Sequence, residues 1–186
     1  MGFYDDLKSK FDIWNRMNDF EKDTVRDIVS ANPGQAFVLK EAKEEAERWS
    51  KSVSYAFTAE LTPEQADATA KASRNDGPAD ALRHCCWSAL LSSQLAYNDA
   101  MRVVMSHEFG PSEGSLASQM DVHNNSVGLR IGAANKRPGG ASPTGLAKND
   151  GDIKEAVMNA FLHGQLVVLS KDKSKLEPSR SLLQGR

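Results

Sequence analysis

The chain has little with which to staple, anchor or attract. Its 186 residues include two cysteines, Cys85 and Cys86, and they are adjacent. Neighbouring cysteines rarely pair, because the ring they would close is strained, so two reduced thiols are expected. There is no excess of positive charge: 23 Lys and Arg stand against 25 Asp and Glu. General attraction to nucleic-acid phosphates is therefore not expected. No apolar run approaches the ~20 residues of a membrane span. The first residues, Met1-Gly2-Phe3-Tyr4-Asp5-Asp6, are acidic and lack the apolar stretch of a Sec signal. Gly2 invites N-myristoylation, but Asp6 stands where Ser or Thr is wanted. Synthesis in the cytoplasm is expected, and export would need a secretion system that reads no cleavable signal. Aromatic residues make up 7% of the chain, which leaves the core to aliphatic side chains and alanine.

What is present is helical periodicity. Phe3, Leu7, Phe11 and Trp14 recur at helical spacing. Phe20, Val25, Ile28 and Val29 follow Asn18-Asp19, a candidate N-cap. After Asn32-Pro33-Gly34, a longer amphipathic helix carries Phe37, Leu39, Ala42, Ala46, Trp49, Val53 and Phe57, with a charged face from Glu41 to Arg48. Thr62-Pro63 starts a short helix up to about Ser73. Further helices are predicted from Pro78 to about Tyr97, Asp99 to Glu108, Ser115 to Gly132 and Ile153 to Leu169. Residues 135–151, with four glycines and two prolines, read as a loop, and the tail after Lys171 as frayed. No strand alternation persists, and Val167-Val168-Leu169 is too short to build on. The expected fold is all-α: a compact multi-helix, bundle-like domain over residues 61–186, with a helical N-terminal region over 1–60. That first region reads either as a docking or delivery arm or as part of one bundle.

Three segments place chemistry-bearing residues on these apolar helices. In Asp80-Ala-Leu-Arg83-His84-Cys-Cys-Trp87, Asp80 and His84 are one turn apart. An Asp so placed can fix the tautomer of a working imidazole. Trp87 lies one turn further on. His107-Glu108 ends the next helix. In Met120-Asp121-Val122-His123-Asn124-Asn125, Asp121, Asn124 and Asn125 share a face while His123 points elsewhere. The sequence therefore yields catalytic candidates Glu108, Asp121, His84 and His107, substrate-binding candidates Asn124, Asn125 and Arg83, and supporting residues Asp80 and Trp87. His84, His107 and Asp121 are the expected ligands if a divalent metal, Zn²⁺ or Mn²⁺, is bound.

The succession D-A-x-R-H-x-x-W, H-E, M-D-x-x-N-N-x-x-G (Asp80 to Trp87, His107-Glu108, Met120 to Gly128) resembles an uncharacterised bacterial domain family. The closing stretch from Ala156 to Val167 is similar as well, so the resemblance covers about residues 74–170. Members occur alone and as tail domains of larger secreted or toxin-like proteins. The resemblance implies an effector or toxin-like role, with a cell-envelope polymer or lipid as substrate and a secretion or cognate immunity partner. Cys-Cys stands where the family has Ala and another small or aromatic residue, which argues against a family-wide cysteine nucleophile. The expected activity is hydrolysis. The alternative is a non-enzymatic helical interaction protein whose polar cluster is a structural hydrogen-bond network.

Overall fold

The computed structural model describes residues 12–58, 61–108, 114–136 and 150–183. Phe3, Leu7, Phe11 and most of the predicted 135–151 loop lie outside them. The described chain is helical apart from one small hairpin. Its elements are α1 (Asp12–Arg16), α2 (Asp19–Ala31), α3 (Gln35–Ser54), α4 (Pro63–Ala72), α5 (Pro78–Gln94), α6 (Tyr97–Glu108), α7 (Leu116–Ala134) and α8 (Asp150–Leu162). A two-stranded antiparallel sheet follows: β1 (Val167–Leu169) and β2 (Leu176–Pro178), with Val167 opposite Pro178.

The starts of these helices follow from local chemistry. Asn18 caps α2 by accepting the Glu21 N–H at 2.8 Å, and the Glu21 carboxylate accepts the Asn18 N–H at 2.8 Å in return. Pro63 and Pro78 open α4 and α5, where a missing N–H costs nothing.

Helix α5 is the axis of the molecule. It packs chiefly on α7 and then on α3 and α8, and it is buried on every face. Its small residues allow this: Ala79, Ala81, Cys85, Cys86, Ser88, Ala89 and Ser92 let neighbouring backbones come close. Gly128 and Gly132, one turn apart on α7, supply the other half of the contact. A Cβ at either would lie 2.1 Å from a backbone oxygen of α5, that of Cys85 or that of Ala89. Leu82, Leu90, Leu91, Val104, Val157 and Phe161 fill the core around this axis, and Ile28, Val29, Val38, Leu39, Ala42 and Ala46 of α2 and α3 belong to the same core.

Four expectations change. Phe20 and Phe37 are 65% and 53% exposed, because Ile28 and Val29 on α2 and Val38, Leu39 and Ala42 on α3 form the inward faces instead. The last helix stops at Leu162 rather than Leu169. Gly164 takes a positive φ of 73°, its N–H reaches Phe161 O at 3.0 Å, and the Gln165 N–H reaches Ala160 O at 2.9 Å, a Schellman ending. The short apolar run after it becomes β1. The tail is not frayed over 171–183: it returns as β2, and Ser179 is buried with its hydroxyl donating to Phe161 O at 2.6 Å.

Candidate functional site

The close α5–α7 contact and the end of α6 bring four ionisable side chains to one imidazole. His84, 3% exposed, projects from α5. Its Nε2 lies 3.6 Å from Asp80 Oδ1 and 3.5 Å from Asp121 Oδ1, and its Nδ1 lies 3.7 Å from Glu108 Oε1. Arg83 folds back over its own helix. It pairs with Asp80 Oδ1 through Nε and Nη2, and Nη2 also donates to His84 Nε2 at 2.9 Å. A guanidinium has no acceptor, so Nε2 carries the lone pair and Nδ1 the proton. Asp80 is held from behind: its Oδ2 accepts the Asp76 N–H at 2.7 Å. Asn125 donates to Glu108 Oε1 at 3.0 Å.

Electrostatics sharpen the picture. Burial, then the charges of Arg83 and His107, hold His84 well below the usual imidazole range, so the ring is neutral. Burial pushes Asp121 up to about 8, and the neighbouring carboxylates Asp80 and Glu108 add to that against Arg83. Burial also raises Glu108, with His107, the Asn125 hydrogen bond and Arg83 opposing. Burial raises both thiols of Cys85 and Cys86, which makes them poor nucleophiles. Trp87 Nε1 and Asp121 Oδ1 are buried atoms without a hydrogen bond among the described residues, while the Asn125 amide stands as a partner beside the His84 ring. A buried polar network kept only for the fold is normally satisfied.

An open cleft of about 490 Å³ meets this cluster at Glu108, with Met105, Ser118, Gln119, Val122 and His123 on its walls. That volume is in the range that holds a small ligand or one unit of a polymer. On the far side, a cavity of about 10 Å³, the size of one water, lies between Arg83, His84, Trp87 and His107.

Not every candidate joins the cluster. His107 turns to Glu21: its Nδ1 is 2.7 Å from Glu21 Oε1, and its ring meets Trp87 edge-on at 5.2 Å and His84 at 6.0 Å, measured between centroids. Among the described residues, the metal-capable group is Asp80, His84 and Asp121, whose ligand atoms lie within 4.8 Å of one another. Asp80, expected in support, replaces His107 in that set. Asn124 faces away from the cluster. Its amide donates to Val167 O at 2.9 Å and accepts the Val167 N–H at 3.0 Å, so it pins β1 to α7. Trp87 supports the His107 ring. Glu21 was not among the sequence candidates. The only signal for it was Asn18-x-x-Glu21, which marks a helix start and not a partner 86 residues away.

Fold and site together define an all-α domain with a buried His/Asp/Glu cluster. The family model for a domain of unknown function (DUF6973) matches residues 27–163, and the chain belongs to that family. No curated protein and no solved structure matches it. Among the described residues, no helix is long and apolar enough to cross a membrane.

Proposed function

We propose that the chain is a hydrolase whose reaction takes place where the cleft meets Glu108. The observation that supports this most is the convergence of Asp80, His84, Glu108 and Asp121, from three helices, beside a ligand-sized cleft with buried polar atoms left unpaired. Burying this many ionisable groups is costly, and the cost is normally borne where chemistry needs it. Glu108 is the proton-transfer group. Burial raises its proton affinity above that of an ordinary carboxylate, which suits a group that takes and returns a proton, and Asn125 fixes its orientation. Asn125 and Arg83 are the groups to orient substrate. A cell-envelope polymer or lipid, met by a secreted effector with a secretion or immunity partner, is the substrate reading; its support is the likeness of the site motifs to domains of secreted and toxin-like proteins.

The competing network reading draws on Asn124 and on the Glu21–His107 pair, which are fully engaged in holding elements together. Glu108→Gln separates the two. The variant is assayed with the wild type on peptidoglycan, phospholipid vesicles and a chromogenic ester. Loss of about 100-fold or more in rate with an unchanged melting temperature is expected. Equal rates, or an unfolded variant, would favour the network.

A further inference from the structure

We propose that Asp80, His84 and Asp121 form a site for one divalent transition-metal ion, whose place Arg83 fills in the ion-free protein. The separations come first. A four-coordinate ion with bonds of about 2.0–2.2 Å sets its ligand atoms about 3.3–3.6 Å apart. His84 Nε2 stands 3.6 Å from Asp80 Oδ1 and 3.5 Å from Asp121 Oδ1, so two of the three separations already match tetrahedral edges, and all three ligand atoms lie within 4.8 Å of one another. Helices need not move, because both contacts arise within α5 and across its tight seam with α7.

Each ligand atom is also prepared. The lone pair of His84 is on Nε2, as the Arg83 hydrogen bond requires, while Nδ1 lies on the Glu108 side, 3.7 Å from Oε1. A carboxylate behind a ligating imidazole is the usual way its orientation and basicity are set. The Asp76 N–H holds Asp80 Oδ2 at 2.7 Å and leaves Oδ1 directed at the site. Asp121 Oδ1 is a buried atom with no hydrogen bond among the described residues. The place calls for positive charge, and Arg83 Nη2 supplies it by bridging Asp80 Oδ1 and His84 Nε2. Arg83 retains 31% side-chain exposure and can swing out on ion entry. One imidazole and two carboxylates suit Zn²⁺ or Mn²⁺ better than Ca²⁺, which takes six to eight oxygens. The coordination position left open would take water or substrate.

This inference concerns the same cluster as the proposed hydrolysis, but its test reads binding and needs no turnover. The untagged full chain, stripped with chelator and then dialysed, is titrated calorimetrically with Zn²⁺ and with Mn²⁺. Co²⁺ absorption gives a second reading through its coordination-sensitive visible band. One ion per chain is expected in the wild type. Asp121→Asn should weaken binding by about 10- to 100-fold while keeping its melting temperature in chelator. Arg83→Gln, which removes the competing cation, should bind tenfold or more tightly than wild type. No saturable binding in either wild type or Arg83→Gln would overturn the site, as would equal affinity in Asp121→Asn. Weaker binding in Arg83→Gln would overturn the displacement. Binding at one ion per chain without hydrolysis of any substrate in the panel would leave the metal site and remove the hydrolase.

Discussion

Gly132→Ala is the sharpest test of how the site is held together. In the middle of a helix, replacing Gly by Ala ordinarily stabilises by about 1 kcal/mol, because the unfolded chain loses freedom. Here the new Cβ would sit 2.1 Å from Ala89 O and 2.9 Å from Ser92 Cβ. Neither is the loose end of a long side chain. To reach ordinary contact, α5 and α7 must part by roughly 1 Å, and overpacking of this kind costs about 1–3 kcal/mol. The cost falls at or above the upper end. Parting the seam also stretches the Ser92 hydroxyl bond to Leu129 O, now 2.9 Å. The helix-propensity gain offsets only part of this, leaving a net loss of about 2 kcal/mol. For a chain of this size that is a fall of about 4–8 °C in melting temperature. Thermal and urea unfolding of wild type and variant measure it. Gly151→Ala serves as the control, because a Cβ there meets nothing within 4 Å, and its melting temperature should hold or rise. A Gly132→Ala protein as stable as the control would refute the claim that the α5–α7 seam is closed by backbone contact.

Two further outcomes follow from residues that hold the frame. Asn124→Ala removes both partners of Val167 and leaves its backbone N–H and C=O unpaired, so a loss of about 2–3 kcal/mol in urea unfolding is expected. Glu21→Gln should cost about 1.5–3 kcal/mol at neutral pH by removing the charge from the buried bond to His107. Burial raises the proton affinity of Glu21, but the His107 hydrogen bond, the His107 charge and the Asn18 N–H outweigh it and bring the carboxyl below its ordinary 4.5. The stability this shift contributes is full above 4.5 and is lost as pH falls through the lower folded value. The gap between wild type and Glu21→Gln should therefore narrow progressively in melts taken at pH values falling from 4.5.

Much of this was readable along the chain, and the misses have physical causes. Helical spacing and the Asn18, Thr62-Pro63 and Gly77-Pro78 starts are local signals, and they marked most of the helices. Asp80 and His84 share a turn, so their partnership was readable, and the polar face of α7 led to Asp121 and Asn125. Asn124 sits next to them in sequence, but one residue is about 100° of helix, enough to aim it at β1 instead. His107 was misplaced because its partner Glu21 lies in another helix, where it looked like a capping residue. The hairpin was missed because three apolar residues carry no period, and Gly164 ends α8 through a backbone angle that spacing does not show. Phe20 and Phe37 are apolar residues on outward faces, and counting hydrophobic residues cannot tell them from core. Gly128 appeared as part of a motif, while its use, admitting the backbone of α5, needed the packed helices.

The central claim is that the cluster around His84 is kept for a ligand and not for the fold. The stability of Asp121→Asn in chelator tests it without knowledge of any substrate. Asp121 has a buried oxygen without a hydrogen bond and two carboxylates for neighbours, so it contributes little to the native state and costs something. The account predicts a melting temperature equal to or above that of the wild type. A fall equivalent to about 2 kcal/mol or more would show that Asp121 is part of a structural network, and would contradict the account.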